Sequence, residues 1–498
     1  MKKEVIKNKK IFYFGLIWIF IFAIGLVNKS FQNDTFYTIK IGKLILNNGI
    51  DMLDHFSYHN IAYTYPHWLY DVFIYVIYNF FGYTGLYISS IVLFFVLLFL
   101  IFKCSLKLTN CYIVSLVIGI LCVLALANFA TARAQLVSFI LFILEIYFLE
   151  MFIKNENKKY VIGLILIPLL LCNIHVAVFP FYFILFLPYL AEGIISIILK
   201  KIKNKNKFLL LLEKKIIVDD NIKIKKLLLI MLVGLMMGFL TPIGNTPYTY
   251  LIKTMMGNSQ KYIQEHQMLT WADSPFTIIM VIETISFALF SKIKLRDLLL
   301  ILGLSLMSIM SIRHISLLAL IGSICLARTF SLFLDYFELN FDNIILKFLS
   351  KKWVIITSYV IVITFSSFML KMQNNKDFVD KKLYPVDAVN YIKENIDISN
   401  MRIFNEYNFG SYLLFNDIPV FIDSRADLYT KQFSGLDYDI FDDYEEVVFN
   451  YPKTFDFYHI THILLYKENS LCNSFISDRR FKVLYEDDYF ILYERGTL

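Results

Sequence analysis

The chain has 498 residues, 58% of them hydrophobic, 17% aromatic and only 18% charged. A soluble domain carries about 45–50% apolar and about 25% charged residues, so the composition excludes an ordinary cytosolic protein, a disordered chain and a secreted disulfide scaffold, and points to a polytopic membrane protein. The net charge of +7 is no nucleic-acid footprint, because residues 200–226 hold ten lysines against three acidic residues, whereas residues 376–498 hold 13 basic against 22 acidic ones.

The first ten residues are basic and Ile11–Val27 is apolar. The run ends in Asn28-Lys29-Ser30-Phe31, with no small-residue cleavage site, so it reads as an uncleaved first span. Apolar runs then fall at 84–102, 112–129, 135–153, 160–173, 176–199, 227–243, 276–291, 297–311, 315–334 and 353–370. With the first, they predict about eleven transmembrane helices, each of roughly the length a bilayer requires. The positive-inside rule places the N-terminus and the lysine-bearing loops in the cytoplasm. An odd number of spans then places residues 371–498 outside. The aromatic segment His67–Phe81 is too short to cross and would invert every later loop. It reads as an interfacial or re-entrant helix at the outer surface, where Trp68, Tyr70, Tyr75 and Tyr78 suit the headgroup layer.

This topology gathers the chemically capable residues on one side. The segment after the first span carries Asp34, Asp51, Asp54, His55, His59 and His67. Arg133 lies at the next outer turn, and Asn173 and His175 at the one after. Glu265, His266, Trp271 and Asp273 lie in the loop 244–275, and Arg313-His314 form a very short turn. Ionisable groups at a membrane are costly, and by default they mark function. Each has a plainer account: Arg133 as a snorkelling anchor, Asp34 as a helix N-cap, Asp54 as a turn residue.

The tail beyond 371 predicts a soluble α/β domain. Pro385–Glu394 reads as a helix with Val386, Val389 and Ile392 on one side. Arg402–Asn405, Val420–Asp423, Ile460–Tyr466, Phe481–Tyr485 and Tyr489–Tyr493 read as strands. Asp423, Arg425 and Asp427 follow a strand, and a structural ion pair accounts for them more simply than a binding site. The six cysteines form no disulfide framework and no zinc spacing. No GxGxxG or P-loop motif is present, which points away from a nucleotide-sugar donor.

An ordered set of short motifs runs along the chain: Asn33-Asp34-Thr35-Phe36-Tyr37-Thr38, Gly42, Asp54-His55-Phe56-Ser57-Tyr58, His67-Trp68-Leu69, Arg133-Ala134-Gln135, Asn173-Ile174-His175, Thr241-Pro242-Ile243-Gly244, Ile263-Gln264-Glu265-His266, Arg313-His314-Ile315, Asn405-Glu406-Tyr407-Asn408-Phe409-Gly410 and Ile422-Asp423-Ser424-Arg425-Ala426-Asp427. The set resembles that of bacterial polytopic membrane proteins of the GT-C glycosyltransferase superfamily type. There are departures: Phe36-Tyr37-Thr38 stands where that group has Trp-Trp-His, His266 where it has Trp, and Ser424 where it has Gly.

The resemblance implies a membrane all-α bundle, residues 1–370, followed by an extracytoplasmic domain, residues 371–498. It implies transfer of a sugar from a polyprenyl-phosphate donor to an envelope acceptor on the outer face. Asp34 stands where the superfamily usually carries its catalytic carboxylate, which would act as general base. Arg133, His175, Arg313 and His314 would meet the leaving phosphate. Asp51, Asp54 and Glu265 would bind substrate. No cofactor is required, and a divalent ion is left open. The expected partners are a lipid-linked sugar and membrane lipids, with no nucleic acid. The alternatives are a transporter or flippase for an envelope polysaccharide or lipid, and a non-catalytic envelope assembly protein. A transporter should show paired repeats and charged, broken helices at the midplane, and no repeat is visible.

Overall fold

The computed structural model describes residues 2–202, 207–257, 267–268, 270, 274–339, 347 and 351–496. Every apolar run of the sequence lies largely in a helix. Among the described residues, six of these helices are long and apolar enough to cross a membrane: Trp68–Thr109, Tyr112–Phe129, Ala134–Asn155, Val176–Lys201, Ile312–Tyr336 and Lys352–Asn374. The expectation of eleven spans therefore divides. Tyr13–Leu26 and Pro275–Phe290 are shorter apolar helices, while Lys158–Ile174, Ile224–Met237 and Leu295–Met310 have 17, 14 and 16 residues. Helices of that length rise only about 21–26 Å, against a hydrocarbon core of about 30 Å. The run 227–243 shows why hydropathy over-measures: the helix ends at Met237, and Gly238 and Pro242 fall in the turn that follows.

Chain contacts divide the molecule into two units. The first comprises Met1–Asn28, Tyr87–Leu240 and Glu265–Asn375. Its central helix is Ile315–Tyr336, with 78% of its apolar window buried, whereas Lys352–Asn374 has 11% and turns Trp353, Ile356, Ile361 and Phe368 outward. That face suits lipid. A buried ion network joins four helices: Arg296 forks onto Glu150 (Nε–Oε1 2.8 Å, Nη2–Oε2 2.9 Å) and reaches Glu192 (3.0 Å). Arg328 donates to Glu150 (2.7 Å) and pairs with Asp297 (3.2 Å). A short parallel pair, β1 (Ile216–Ile217) and β2 (Ile293–Lys294), lies in the same unit.

The second unit is assembled from Lys29–Leu86, Thr241–Gln264 and Lys376–Leu498. Two segments that the sequence places among the loops of the membrane domain thus belong with the tail. Its sheet has four strands, β3 (Ile403–Asn405), β4 (His462–Tyr466), β5 (Phe481–Glu486) and β6 (Phe490–Arg495), in the order β3-β4-β6-β5. Strands β3 and β4 are parallel and the other pairs antiparallel. The helix Val386–Asn395 buries Ala388, Val389 and Ile392. Val420–Asp423, expected as a strand, forms only one bridge, Val420 to Ser57. The Asn405 side chain takes its backbone groups instead, accepting from Phe421 N (2.9 Å) and donating to Ile422 O (2.8 Å).

The helix Asn33–Asn48 buries Thr35–Ile39, Ile41 and Gly42 and packs on the helix Tyr407–Phe415. Phe36 meets Tyr384 and Tyr412 edge-on at 4.9 and 5.2 Å between ring centroids. The helix Trp68–Thr109 is broken at Gly82 (φ 60°, ψ −156°), between the aromatic segment and the apolar run at 84–102. Glycine permits this left-handed conformation without a Cβ penalty.

Candidate functional site

In the first unit three of the motifs meet at one end of the helices. Arg133 is the half-buried residue preceding the helix Ala134–Asn155. On that helix the Gln135 amide donates to Ser316 Oγ (3.4 Å), just past Arg313-His314, and Ser138 Oγ is bonded to the Nδ1 of buried His175 (2.8 Å). Ser316 Oγ also donates to the Arg313 carbonyl (3.3 Å), and the His314 ring lies 5.3 Å from that of Phe181. Asn173 donates to the carbonyls of Leu169 and Leu240 (2.8 and 3.1 Å). The helices Ala134–Asn155, Phe179–Lys201 and Ile315–Tyr336 all begin here. Helix N-termini carry partial positive charge, so Arg133, His175, Arg313 and His314 lie where a phosphate would be favoured. The Glu150 network is about 25 Å further along the first of these helices, 17 residues at 1.5 Å each.

Asp34 belongs to the second unit. It is half-buried in the first turn of Asn33–Asn48, where a carboxylate complements the helix dipole. It is not the N-cap: Gln32 holds that position and makes no capping bond through its side chain. The amide of Asn33 donates to the carbonyl of Tyr407 (2.8 Å), which fastens this turn to the tail. Asp34 is close enough to Tyr384 for its charge to help raise that phenol, though burial is the larger cause.

The tail motif organises the rest of this unit. Arg425, 7% exposed, donates to both oxygens of Asp423 (Nε–Oδ1 2.9 Å, Nη2–Oδ2 2.7 Å) and to Asp54 Oδ1 (2.6 Å). Its guanidinium stacks over Tyr63, 5.0 Å from the ring centroid. Burial alone would raise the Asp54 carboxyl, but Arg425 and Ser57 outweigh it and hold the group below its ordinary value. Asp427 accepts from Tyr250 (2.9 Å) and Thr254 (3.2 Å) of the middle segment. The motif thus gathers all three segments of the unit. The sequence offers it as an ion pair but gives no sign that Asp54 is the third partner.

Asp54 is consequently enclosed, with Oδ2 accepting from Ser57 N (2.8 Å). Asp51 is exposed but occupied: Oδ2 meets His55 Nε2 (2.6 Å), and Oδ1 accepts from Leu53 N and Tyr65 OH (both 3.1 Å). Glu265, with His266, Trp271 and Asp273, lies outside the described residues. Among the described residues no three His, Cys, Asp or Glu side chains are grouped to hold a metal. With Asp51 and Asp54 committed to protein donors, these two carboxylates do not fit a divalent ion. Asp71 is a further buried carboxylate that the sequence reading passes over. It is 0% exposed and stands 3.9 Å from the Nδ1 of His67. The segment His67–Phe81 reads as an aromatic interfacial helix, in which a single acidic residue is expected to face water.

No family model and no curated protein matches the chain. Solved structures do. The archaeal oligosaccharyltransferase AglB from Archaeoglobus fulgidus, in complex with an inhibitory peptide and a dolichol-phosphate, superposes with a TM-score of 0.59 at 9% identity, over 91% of this chain and 69% of that one. The Archaeoglobus fulgidus oligosaccharyltransferase in complex with Zn and sulfate gives 0.55 at 10% identity, over 97% and 73%. ArnT from Cupriavidus metallidurans, bound to undecaprenyl phosphate, gives 0.53 at 8% identity, over 99% and 98%. At these identities the likeness is one of fold alone.

Proposed function

We propose that the chain is an integral membrane glycosyltransferase that moves a sugar from a polyprenyl-phosphate donor to an envelope acceptor on the outer face of the membrane. The observation that carries this reading is the fold: likeness extends over nearly the whole chain to an oligosaccharyltransferase solved with dolichol-phosphate and to ArnT solved with undecaprenyl phosphate.

Asp34 takes the proton of the acceptor hydroxyl as that oxygen attacks the anomeric carbon. The bond from this carbon to the phosphate oxygen breaks, and the leaving phosphate gathers negative charge. Arg133, His175, Arg313 and His314, with the helix N-termini behind them, supply the opposing charge. Asp51 and Asp54 do not bind substrate in this reading; they shape the loop that follows the Asp34 helix. The N-terminus is cytoplasmic and the acidic tail extracytoplasmic, supported by the lysine distribution. A single cysteine near residue 205 should then resist an impermeant thiol reagent in intact cells.

The test is a panel of polyprenyl-phosphate sugars given to purified protein, with release of the lipid phosphate as readout. Turnover of at least one donor that depends on Asp34 supports the reading. Donor-independent movement of a lipid-linked glycan across vesicles would favour a flippase instead.

A further inference from the structure

We infer that the second unit carries a binding cleft for an acidic saccharide, on the same helix as Asp34 but beyond it. This rests on the glycosyltransferase reading only in naming the bound molecule as the acceptor. The cleft has a volume of about 310 Å³ and is formed by the C-terminal half of Asn33–Asn48, His55-Phe56, and residues 414–419 at and just beyond the end of the helix Tyr407–Phe415. That volume lies at the lower end of small-ligand sites, about 300–1,000 Å³.

Its lining has two characters. Half-buried Leu44 and Phe56 supply its apolar surface, Leu414 and Ile418 being only 1% exposed, and an aromatic ring suits the C–H face of a sugar. Asn47 and Asn48, both exposed, also line the cleft, and their amides both donate and accept. They occupy the last turn of the helix, where the final backbone carbonyls have no intrahelical partner. Sugar hydroxyls can donate to such carbonyls and exchange hydrogen bonds with the amides. A bare anion would gain little here, because a helix C-terminus carries partial negative charge. The hydroxyl-rich body of the ligand therefore belongs at this end.

Charge then selects among saccharides. Lys40 is paired with Asp417 and also donates to Phe415 O (3.4 Å). His55 is engaged by Asp51 at 2.6 Å. Lys43, exposed and on the cleft wall one turn before Asn47, leaves the lining with a cationic surplus. A carboxylate on the saccharide complements it. Lys43 follows Asp34 by nine residues, about 14 Å along the helix axis. The cleft thus holds a part of the acceptor a few sugar units from the reacting hydroxyl, and binding energy there positions the chain for transfer.

The experiment measures binding of an oligogalacturonate to the purified full-length protein in detergent by calorimetry, with maltotriose and inorganic phosphate as comparison probes. Oligogalacturonate should bind at least about tenfold tighter than either, and raised salt should weaken it. Lys43→Ala should raise its Kd about tenfold with an unchanged Tm, as expected for losing one charge-assisted hydrogen bond. Lys43→Arg should retain most of the affinity, and Asn47→Ala should weaken both saccharides together. Asp34→Asn should leave binding intact, so failure of the transferase reading and failure of the cleft are read separately. Equal affinity for maltotriose overturns the acidic selection, and equal affinity for phosphate overturns the saccharide. No oligogalacturonate binding at low salt, or affinity indifferent to both Lys43→Ala and Asn47→Ala, removes the site.

Discussion

Gly42 packs directly beneath the backbone carbonyl of Asp71. A Cβ at position 42 would overlap that oxygen and come within 2.7 Å of Tyr75 Cβ. The contact lets the helix Asn33–Asn48 lie against the start of Trp68–Thr109, so the glycine of the first motif is a packing requirement and not a turn. Gly42→Ala should lower stability by about 1–3 kcal/mol or more, since backbone cannot yield as a side chain can. A Tm unchanged from that of the parent would mean the two helices separate freely.

Arg425 sits between Asp423 and Asp54, and removing it leaves two buried carboxylates uncompensated. Arg425→Met should cost about 3–5 kcal/mol by denaturant unfolding. Asp54→Asn should cost less, because Asp423 still satisfies the guanidinium. Combining Asp54→Asn with Arg425→Met should recover part of the loss. Additive costs would show that the pair is not coupled.

His59 gives this unit an acid-sensitive window. Its Nε2–H donates to the carbonyl of Phe421 (2.8 Å), and burial brings its pKa down to about 4. The unfolded chain takes up the proton near pH 6.5 and the folded chain only near 4. Stability is therefore full above pH 6.5 and falls as the pH drops towards 4, by about 1–3 kcal/mol in total. Asp54, held below its ordinary value, contributes above about pH 4 and is lost only as the pH falls further. His59→Gln should flatten the window between 6.5 and 4 and leave the more acid limb. A parent protein whose stability does not change between those values would refute the assignment.

Asp34→Asn is nearly isosteric and removes the proposed base. Turnover should fall about 10²–10⁴-fold while the Tm stays close to that of the parent. Full activity would reduce Asp34 to a complement of the helix dipole.

Arg313→Lys keeps the charge and loses the planar fork. The Michaelis constant for the lipid-phosphate donor should rise with little change in Tm, and His175→Asn, which breaks the bond to Ser138, should act in the same direction. Unchanged kinetics in Arg313→Lys would leave Arg313 as a membrane anchor.

Much of this architecture can be read from residue type and spacing, and the exceptions have physical causes. Apolar periodicity places each helical run, because burying a hydrophobic face is decided locally. The number of true spans is not, since hydropathy continues through turns such as Phe239–Ile243 that no longer rise along a helix axis. The helix Val386–Asn395 and the strands β4 to β6 follow from their patterns. Val420–Asp423 has the composition of a strand, but Asn405 supplies side-chain bonds that a second strand would otherwise have made. The Ser138–His175 bond and the Asp54–Arg425 pair were hidden for a related reason: a sequence shows which groups need partners, and only the fold shows which partners they find.

The pairing of Asp54 with Arg425, 371 positions apart, has a consequence for how the protein is made. At about 5–20 residues per second, the ribosome needs tens of seconds to add the stretch between them. Until then the segment 29–67 is synthesised with its acidic centre unmatched, while the bundle helices that follow are already being made. Maturation is therefore expected in two stages, with the bundle first and the segmented unit closing only once the final quarter of the chain emerges. Chains ended before residue 425 should insert yet remain protease-sensitive between 29 and 67.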